Sequence, residues 1–149
     1  MITREINKSV LKPGKILAVA SDPDIIRIFG VNLTHANFEF ISADNGTEAM
    51  DRTISESPDV IVLNPPLPDI DVNSVYLRLQ RSSQTRNIPV IIIVAAKSER
   101  IIDQTDGGTI HYITKPFDPN DLVSLVQVCI KQRKGIQPLA TSTDRTGTK

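Results

Sequence analysis

The sequence predicts an α/β fold, a doubly wound five-stranded parallel sheet with strand order 2-1-3-4-5. Three observations lead there. Five short apolar or half-apolar runs alternate with stretches of helical periodicity, the pattern of repeated strand–helix–strand units. The first, third and fourth runs are nearly continuous in Val, Ile, Leu and Ala, as expected of strands buried on both faces. Helix-start signals directly follow the first and last runs, as Asp22-Pro23 and Asp118-Pro119. Right-handed crossovers then wind the sheet outward from its first strand.

The elements follow in order. Ile16 to Ala20 is the first strand. Asp22 caps the first helix and Pro23 takes its first position, with Ile25, Ile26, Phe29 and Leu33 at helical spacing. Asn37 suits the left-handed residue that ends it. Phe38 to Ile41 alternates more and reads as an edge strand. Asn45-Gly46 marks a turn, and Thr47 to Ser55 a second helix with Ala49 and Met50 facing inward. Val60 to Leu63 is the third strand and Asn73 to Arg81 the third helix. Ile88 to Ala95 is the fourth strand, Ser98 to Gln104 a short fourth helix, and Gly107-Gly108 a break. Thr109 to Thr114 is the fifth strand. The fifth helix opens at Asp118 and carries Leu122, Leu125, Val126, Cys129 and Ile130 as one stripe.

Residues 1–14 read as a flexible N-terminal arm, 15–133 as one domain, and 134–149, rich in Gly, Thr and Ser, as a flexible tail. Apolar residues make up 40% of the 149, enough for a core at this length. Lys+Arg and Asp+Glu balance at 17 each, so no basic excess argues for nucleic acid. The single cysteine rules out a disulfide within the chain and predicts a reducing, cytoplasmic setting. No signal peptide is visible, and the apolar run from Val90 to Ala96 is too short to span a membrane. His35 and His111 have no companion ligands at metal spacing.

In sheets of this kind a site lies at the carboxyl ends of the strands. That rim comprises Ala20-Ser21-Asp22, Asn64-Pro65-Pro66, Val94-Ala95-Ala96 and Ile113-Thr114-Lys115. The segments Lys15 to Val19, Asp22 to Ile25, Pro58 to Leu63, Leu67-Pro68-Asp69, Ile88 to Ile91 and Tyr112 to Asp118 together resemble the receiver domain of response regulators in two-component signalling. The Lys115-Pro116 joint after the fifth strand is the most specific of these. The resemblance spans Lys15 to about Arg133 and implies a CheY-like, flavodoxin-like fold.

It also implies five roles at the rim. An acid pair after the first strand helps to hold Mg²⁺, an aspartate after the third accepts a phosphoryl group, a hydroxyl after the fourth binds a phosphoryl oxygen, and a lysine after the fifth pairs with the added charge. Carried over, the acid pair falls on Ala20 and Ser21, the acceptor on Asn64 and the hydroxyl on Val94. Only Lys115 keeps its chemistry. Pro65 offers no N–H to a phosphoryl oxygen, and Pro66 stiffens the same loop. Val72 stands where many receivers place glycine. Tyr112 matches the family's switch aromatic, but Val94 cannot hydrogen-bond it, so packing is expected to hold the ring.

The expectation is therefore a degenerate receiver, or pseudo-receiver. It is a phosphorylation-independent interaction module, not an enzyme, without Mg²⁺ or other cofactor. Lys115 is expected to bond the Asn64 side-chain oxygen or pair with Asp22, which otherwise caps a helix. Partners implied are a signalling protein, such as a histidine kinase or an output protein, or a second copy docked on the face of fourth helix, fifth strand and fifth helix. Neither nucleic acid nor membrane is expected. Two other readings stand beside it: a working phospho-receiver whose acceptor is Asp69 or Asp71, and a small nucleotide- or cofactor-binding enzyme on the same sheet. No glycine-rich phosphate loop follows the first strand to support the second of these.

Overall fold

The structure is a computed structural model that describes residues 14–95 and 110–142, with side chains through 132. The fourth helix expected at 98–104, the break at 107–108 and the arm before residue 14 lie outside the described residues. Five parallel strands, β1 (Lys15–Ala20), β2 (Glu39–Ala43), β3 (Val60–Asn64), β4 (Val90–Val94) and β5 (Ile110–Thr114), form one sheet in the order β2-β1-β3-β4-β5. The predicted order is the observed one, with β2 and β5 at the edges.

Side chains alternate across the strands and build two core layers. Leu17, Val19, Ile61, Leu63, Ile92 and Val94 face α2 (Gly46–Glu56) and α3 (Val72–Gln80). Ile16, Ala18, Val60, Val62, Ile91 and Ile93 face α1 (Pro23–His35) and α4 (Pro119–Ser142). Burial on both faces is why the central strands carry almost no polar residue.

The helix ends follow the sequence closely. Asp22 Oδ1 accepts the Asp24 N–H at 2.9 Å and caps α1. At the other end Asn37 is left-handed, with φ 72°. The Phe38 N–H reaches the Leu33 carbonyl at 3.0 Å and the Asn37 N–H the Thr34 carbonyl at 2.9 Å, a Schellman closure. Leu33 and Phe38 share the same core layer, which fixes the turn into β2. Asp118 accepts the Asn120 N–H at 2.8 Å at the start of α4.

Several boundaries differ from expectation. β2 is Glu39–Ala43 where Phe38 to Ile41 was expected, and β4 is Val90–Val94 where Ile88 to Ala95 was expected. Gly46 is the first residue of α2 instead of part of a turn, because Asn45 caps that helix by accepting the Glu48 N–H at 2.8 Å. Val72, the departure from glycine, is the buried first residue of α3, capped by Asp71 through the Ser74 N–H at 2.7 Å. The last helix does not stop at 133. It runs 24 residues to Ser142, past Gly135 and Pro138. A helix already under way adds each residue without a new nucleation cost, and the Lys, Arg, Gln, Leu and Ala around those two residues are good helix formers.

Candidate functional site

The rim is assembled from strand ends. Ala20, the last residue of β1, is fully buried and lies beside Asn64, the last residue of β3. Val94 ends β4 opposite Thr114, and its carbonyl accepts the Lys115 N–H at 2.8 Å. Ser21 and Lys115 are exposed on either side of this buried line. The sheet thus brings Ala20, Ser21, Asn64, Val94 and Lys115 to one edge. Both Lys115-Pro116 and Pro65-Pro66 are cis. Tyr112 pairs with Ile92 and packs, half-buried, against the α2–α3 core layer.

Asn64 is 8% exposed, and its Oδ1 is buried without a hydrogen-bond partner. The bond expected from Lys115 is therefore not formed. Nor does Lys115 form an ion pair with Asp22 among the described residues, since that carboxylate turns to the start of α1. The physical reason is that a long lysine chain gains rotamer freedom and hydration in solvent, while a buried amide oxygen has no such escape.

The two candidate alternative acceptors are both engaged. Asp71 caps α3. Asp69 reaches across to the start of α2, where its Oδ1 accepts the Gly46 N–H at 2.7 Å. Its Oδ2 accepts the Thr47 N–H at 2.8 Å and the Thr47 hydroxyl at 2.7 Å. Anion at a helix N-terminus is the favourable arrangement. The Gly46 bond, then the Thr47 hydroxyl and N–H, hold the Asp69 carboxyl well below the usual carboxylate range. This strap ties the loop after Asn64 to α2. It joins residues 22 and 23 positions apart, so nothing local in the sequence announces it.

Two expected results follow. A carboxyl whose pKa is depressed by folding contributes its stability fully above the unfolded value, 3.8, and loses it as pH falls toward the folded value. Asp69→Asn is expected to lower stability at neutral pH and to flatten the acid limb below about pH 4, as read by urea unfolding at a series of pH values. Gly46 is buried against the same loop, and a Cβ there would collide with the Ile70 side chain and approach Asp69 Oδ1 at 3.2 Å. Gly46→Ala is expected to cost about 1–3 kcal/mol through overpacking. Adding Ile70→Ala recovers part of that loss in the same unfolding measurement if Ile70 is the obstacle.

A shallow cleft of about 310 Å³ opens beside Ala20 and Ser21, between the ends of β1 and β2, with Asp44, Glu48 and Arg52 on its far side. Glu48 Oε1 accepts the Asp44 N–H at 3.1 Å, and Arg52 lies 3.8 Å from Glu48 Oε2. Among the described residues no group of three His, Cys, Asp or Glu side chains could hold a metal. At the two positions that the sequence resemblance assigns to holding Mg²⁺, Ala20 and Ser21, the side chains are a methyl and a hydroxyl. Mg²⁺ favours carboxylate oxygens in octahedral geometry, so this donor set does not fit it. Burial lowers the His111 imidazole pKa and pushes the Cys129 thiol up to about 11, marking both as packed groups. No helix among the described residues is long and apolar enough to cross a membrane.

Known proteins match this architecture. The family model for the response regulator receiver domain matches residues 16–127. The chain is 30% identical over 127 residues to the DNA-binding dual master transcriptional regulator RpaA of Synechocystis sp., covering 85% of this chain and 53% of that protein. It is 34% identical over 124 residues to the transcriptional regulatory protein KdpE of Staphylococcus aureus, covering 83% of this chain and 52% of that one. The chain thus spans about half the length of these curated relatives. Among solved structures, the receiver domain of Francisella response regulator 1452 aligns with TM-score 0.71 and 28% identity, over 80% of this chain and 98% of that one. The chemotaxis response regulator CheY4 of Vibrio cholerae shares the fold at TM-score 0.70 and 23% identity, over 77% and 97%. By its fold and its matched length, the chain belongs to the response regulator receiver domain family.

Proposed function

We propose that this receiver domain of two-component signalling is degenerate: it binds a protein partner without aspartyl phosphorylation. The observation that carries the reading is the rim itself. Asn64 stands at the end of β3 with a neutral, buried amide, flanked by Ala20, Ser21 and Val94. An amide does not form an acyl phosphate as a carboxylate does. Pro65 withholds the next N–H, and the Asp69 and Asp71 carboxylates are spent on helix starts. On this reading Mg²⁺ binding is lost, no reaction is catalysed, and Lys115 has no phosphoryl group to meet.

The partner is a signalling protein, such as a histidine kinase or an output protein, or a second copy of this chain. It docks on the face that includes β5 and the start of α4, around Tyr112. The relatives named as transcriptional regulators are about twice as long as the matched stretch, so DNA binding is not carried over to this chain. A formal net charge of zero gives it no basic excess for nucleic acid.

Incubation with acetyl phosphate and Mg²⁺, followed by intact-mass measurement and peptide mapping, tests the reading. The expected result is an unmodified chain across Val60 to Leu79. An acyl phosphate on any aspartate would falsify it. A parallel melt in millimolar Mg²⁺ is expected to leave the melting temperature unchanged, since no crowded carboxylates await a cation. A saturable rise contradicts the proposed loss of the metal site.

A further inference from the structure

The outer face of α2 and α3 sets exposed apolar side chains beside charge of both signs. Ile54 on α2 is 60% exposed and Leu77 on α3 is 48% exposed. The buried residues of each helix, Ala49 and Thr53 on α2, Val75 and Leu79 on α3, fix how it is turned. With about 3.6 residues per turn and right-handed crossovers, Ile54 then points toward α3 and Arg78 toward α2, while Asp51, Leu77 and Arg81 point outward. We propose that this face is a self-complementary interface on which a second copy of the chain docks. The two-fold axis runs along the groove between the helices, so that α2 of each copy packs on α3 of the other. Ile54 and Leu77 form the apolar centre, and Asp51 of each copy pairs with the partner's Arg78 and Arg81.

Charge selects the occupant. From Val72 to Ser98 the sequence holds Arg78, Arg81, Arg86 and Lys97 and no Asp or Glu. α2 is the reverse, with Glu48, Asp51 and Glu56 against Arg52. Arg52 lies 3.8 Å from Glu48, and Glu56 meets Lys15 at 3.0 Å. Among the described residues Asp51 meets no cation, and Arg78, Arg81 and Arg86 meet no carboxylate. A partner that answers both signs must carry acid beside base at the same spacing, and a second copy turned about the two-fold does so by construction. The other exposed apolar residues, Ile28 and Val31 on α1 and Val128 on α4, lie across the sheet, where Arg27 already pairs with Asp24 at 3.4 Å.

The arginines stand on a braced helix end. The buried Thr85 hydroxyl donates to the Leu79 carbonyl at 2.6 Å, Gln80 Nε2 to the Arg86 carbonyl at 3.2 Å, and the Arg86 N–H to the Ser82 carbonyl at 2.9 Å. These bonds fold the chain after α3 back onto the helix, so little backbone has to be ordered on docking. The interface lies apart from β5 and leaves that strand open to another signalling protein.

The test is sedimentation velocity on the full chain from about 10 µM to about 1 mM, where a monomer–dimer equilibrium is expected. Raising NaCl from about 0.05 M to about 0.5 M is expected to weaken the dimer by about tenfold. Asp51→Lys removes the acid from the patch, and the double variant Arg78→Glu, Arg81→Glu removes the base. Each is expected to be monomeric alone, and an equimolar mixture of the two to restore the dimer, since each chain supplies the sign that the other has lost. Rescue on mixing requires both chains to be folded, and far-UV circular dichroism checks each one separately. Lys115→Glu after β5 and Val31→Lys on α1 are expected to dimerise as the wild type does. A wild type that stays monomeric to about 1 mM assigns the face to a different partner and overturns the proposal. A dimer indifferent to salt, a mixture that does not pair, or a dimer abolished by Lys115→Glu or Val31→Lys also overturns it. Phosphorylation by acetyl phosphate bears on none of these outcomes, so this pairing and the proposed function fail separately.

Discussion

Restoring the acceptor alone, by Asn64→Asp, is expected to give a chain that still takes no phosphoryl group from acetyl phosphate and Mg²⁺. The carboxylate returns, yet Ala20 and Ser21 supply no metal oxygens of the charged kind, Val94 supplies no hydroxyl and Pro65 no N–H. The larger effect falls on stability. The position is 8% exposed, so burial raises the pKa of the new carboxyl. With a folded pKa above the unfolded one, stability is full at low pH and falls as pH rises through the folded value. The Lys115 ammonium, exposed at the same rim, is expected to offset part of this. In the double variant Asn64→Asp, Lys115→Met nothing offsets it, and the further loss at pH 7 is expected on the order of 3 kcal/mol. Urea unfolding of the wild type, Asn64→Asp, Lys115→Met and the double variant at pH 4 and pH 7 reads both effects. Equal stability of the single and double variants at pH 7 counts against a lysine within reach.

Phe29→Ala is expected to lower stability by about 3–5 kcal/mol, the range for a fully buried aromatic. Phe29 is 1% exposed in the layer under α1 and α4, with its ring centroid 6.3 Å from that of Phe117 at 36°. Phe117 follows the Lys115-Pro116 joint by one residue. The loss therefore reaches the rim as well as the core. Amide chemical shifts of Thr114 and Lys115 are expected to move in the folded population, while those of α3, on the other face of the sheet, stay put. Unmoved shifts at the joint detach the rim from this contact.

Most of the fold was legible because it rests on local rules that agree with one another. Continuous apolar strands, Asp22-Pro23, Asp118 and Asn37 each signal what their own neighbourhood does, and the sheet order follows from crossover handedness. The rim positions were legible for the same reason, since strand ends fix which residues meet. What was not legible depends on distance or on competition. The Asp69 strap joins two loops that share no pattern. Asn45-Gly46 was read as a turn, yet the pair is a cap and a first helical residue, with Asn45 accepting from Glu48 and Asp69 from Gly46. Lys115 was expected to bond Asn64 because the resemblance puts both at one rim, whereas its side chain is exposed, where chain entropy and hydration favour it. The last helix passes two residues that are poor helix formers singly, because propensity acts on a whole segment.

Pro65 also governs how the molecule ages. Asparagine side chains drift to aspartate over a protein's lifetime when the following backbone nitrogen attacks the side-chain carbonyl and closes a five-membered imide. The nitrogen after Asn64 belongs to a proline ring and carries no hydrogen, so that ring cannot close. An old copy of this chain thus presents the same neutral amide at the end of β3 as a new one. Time does not convert it, copy by copy, into something resembling an acceptor.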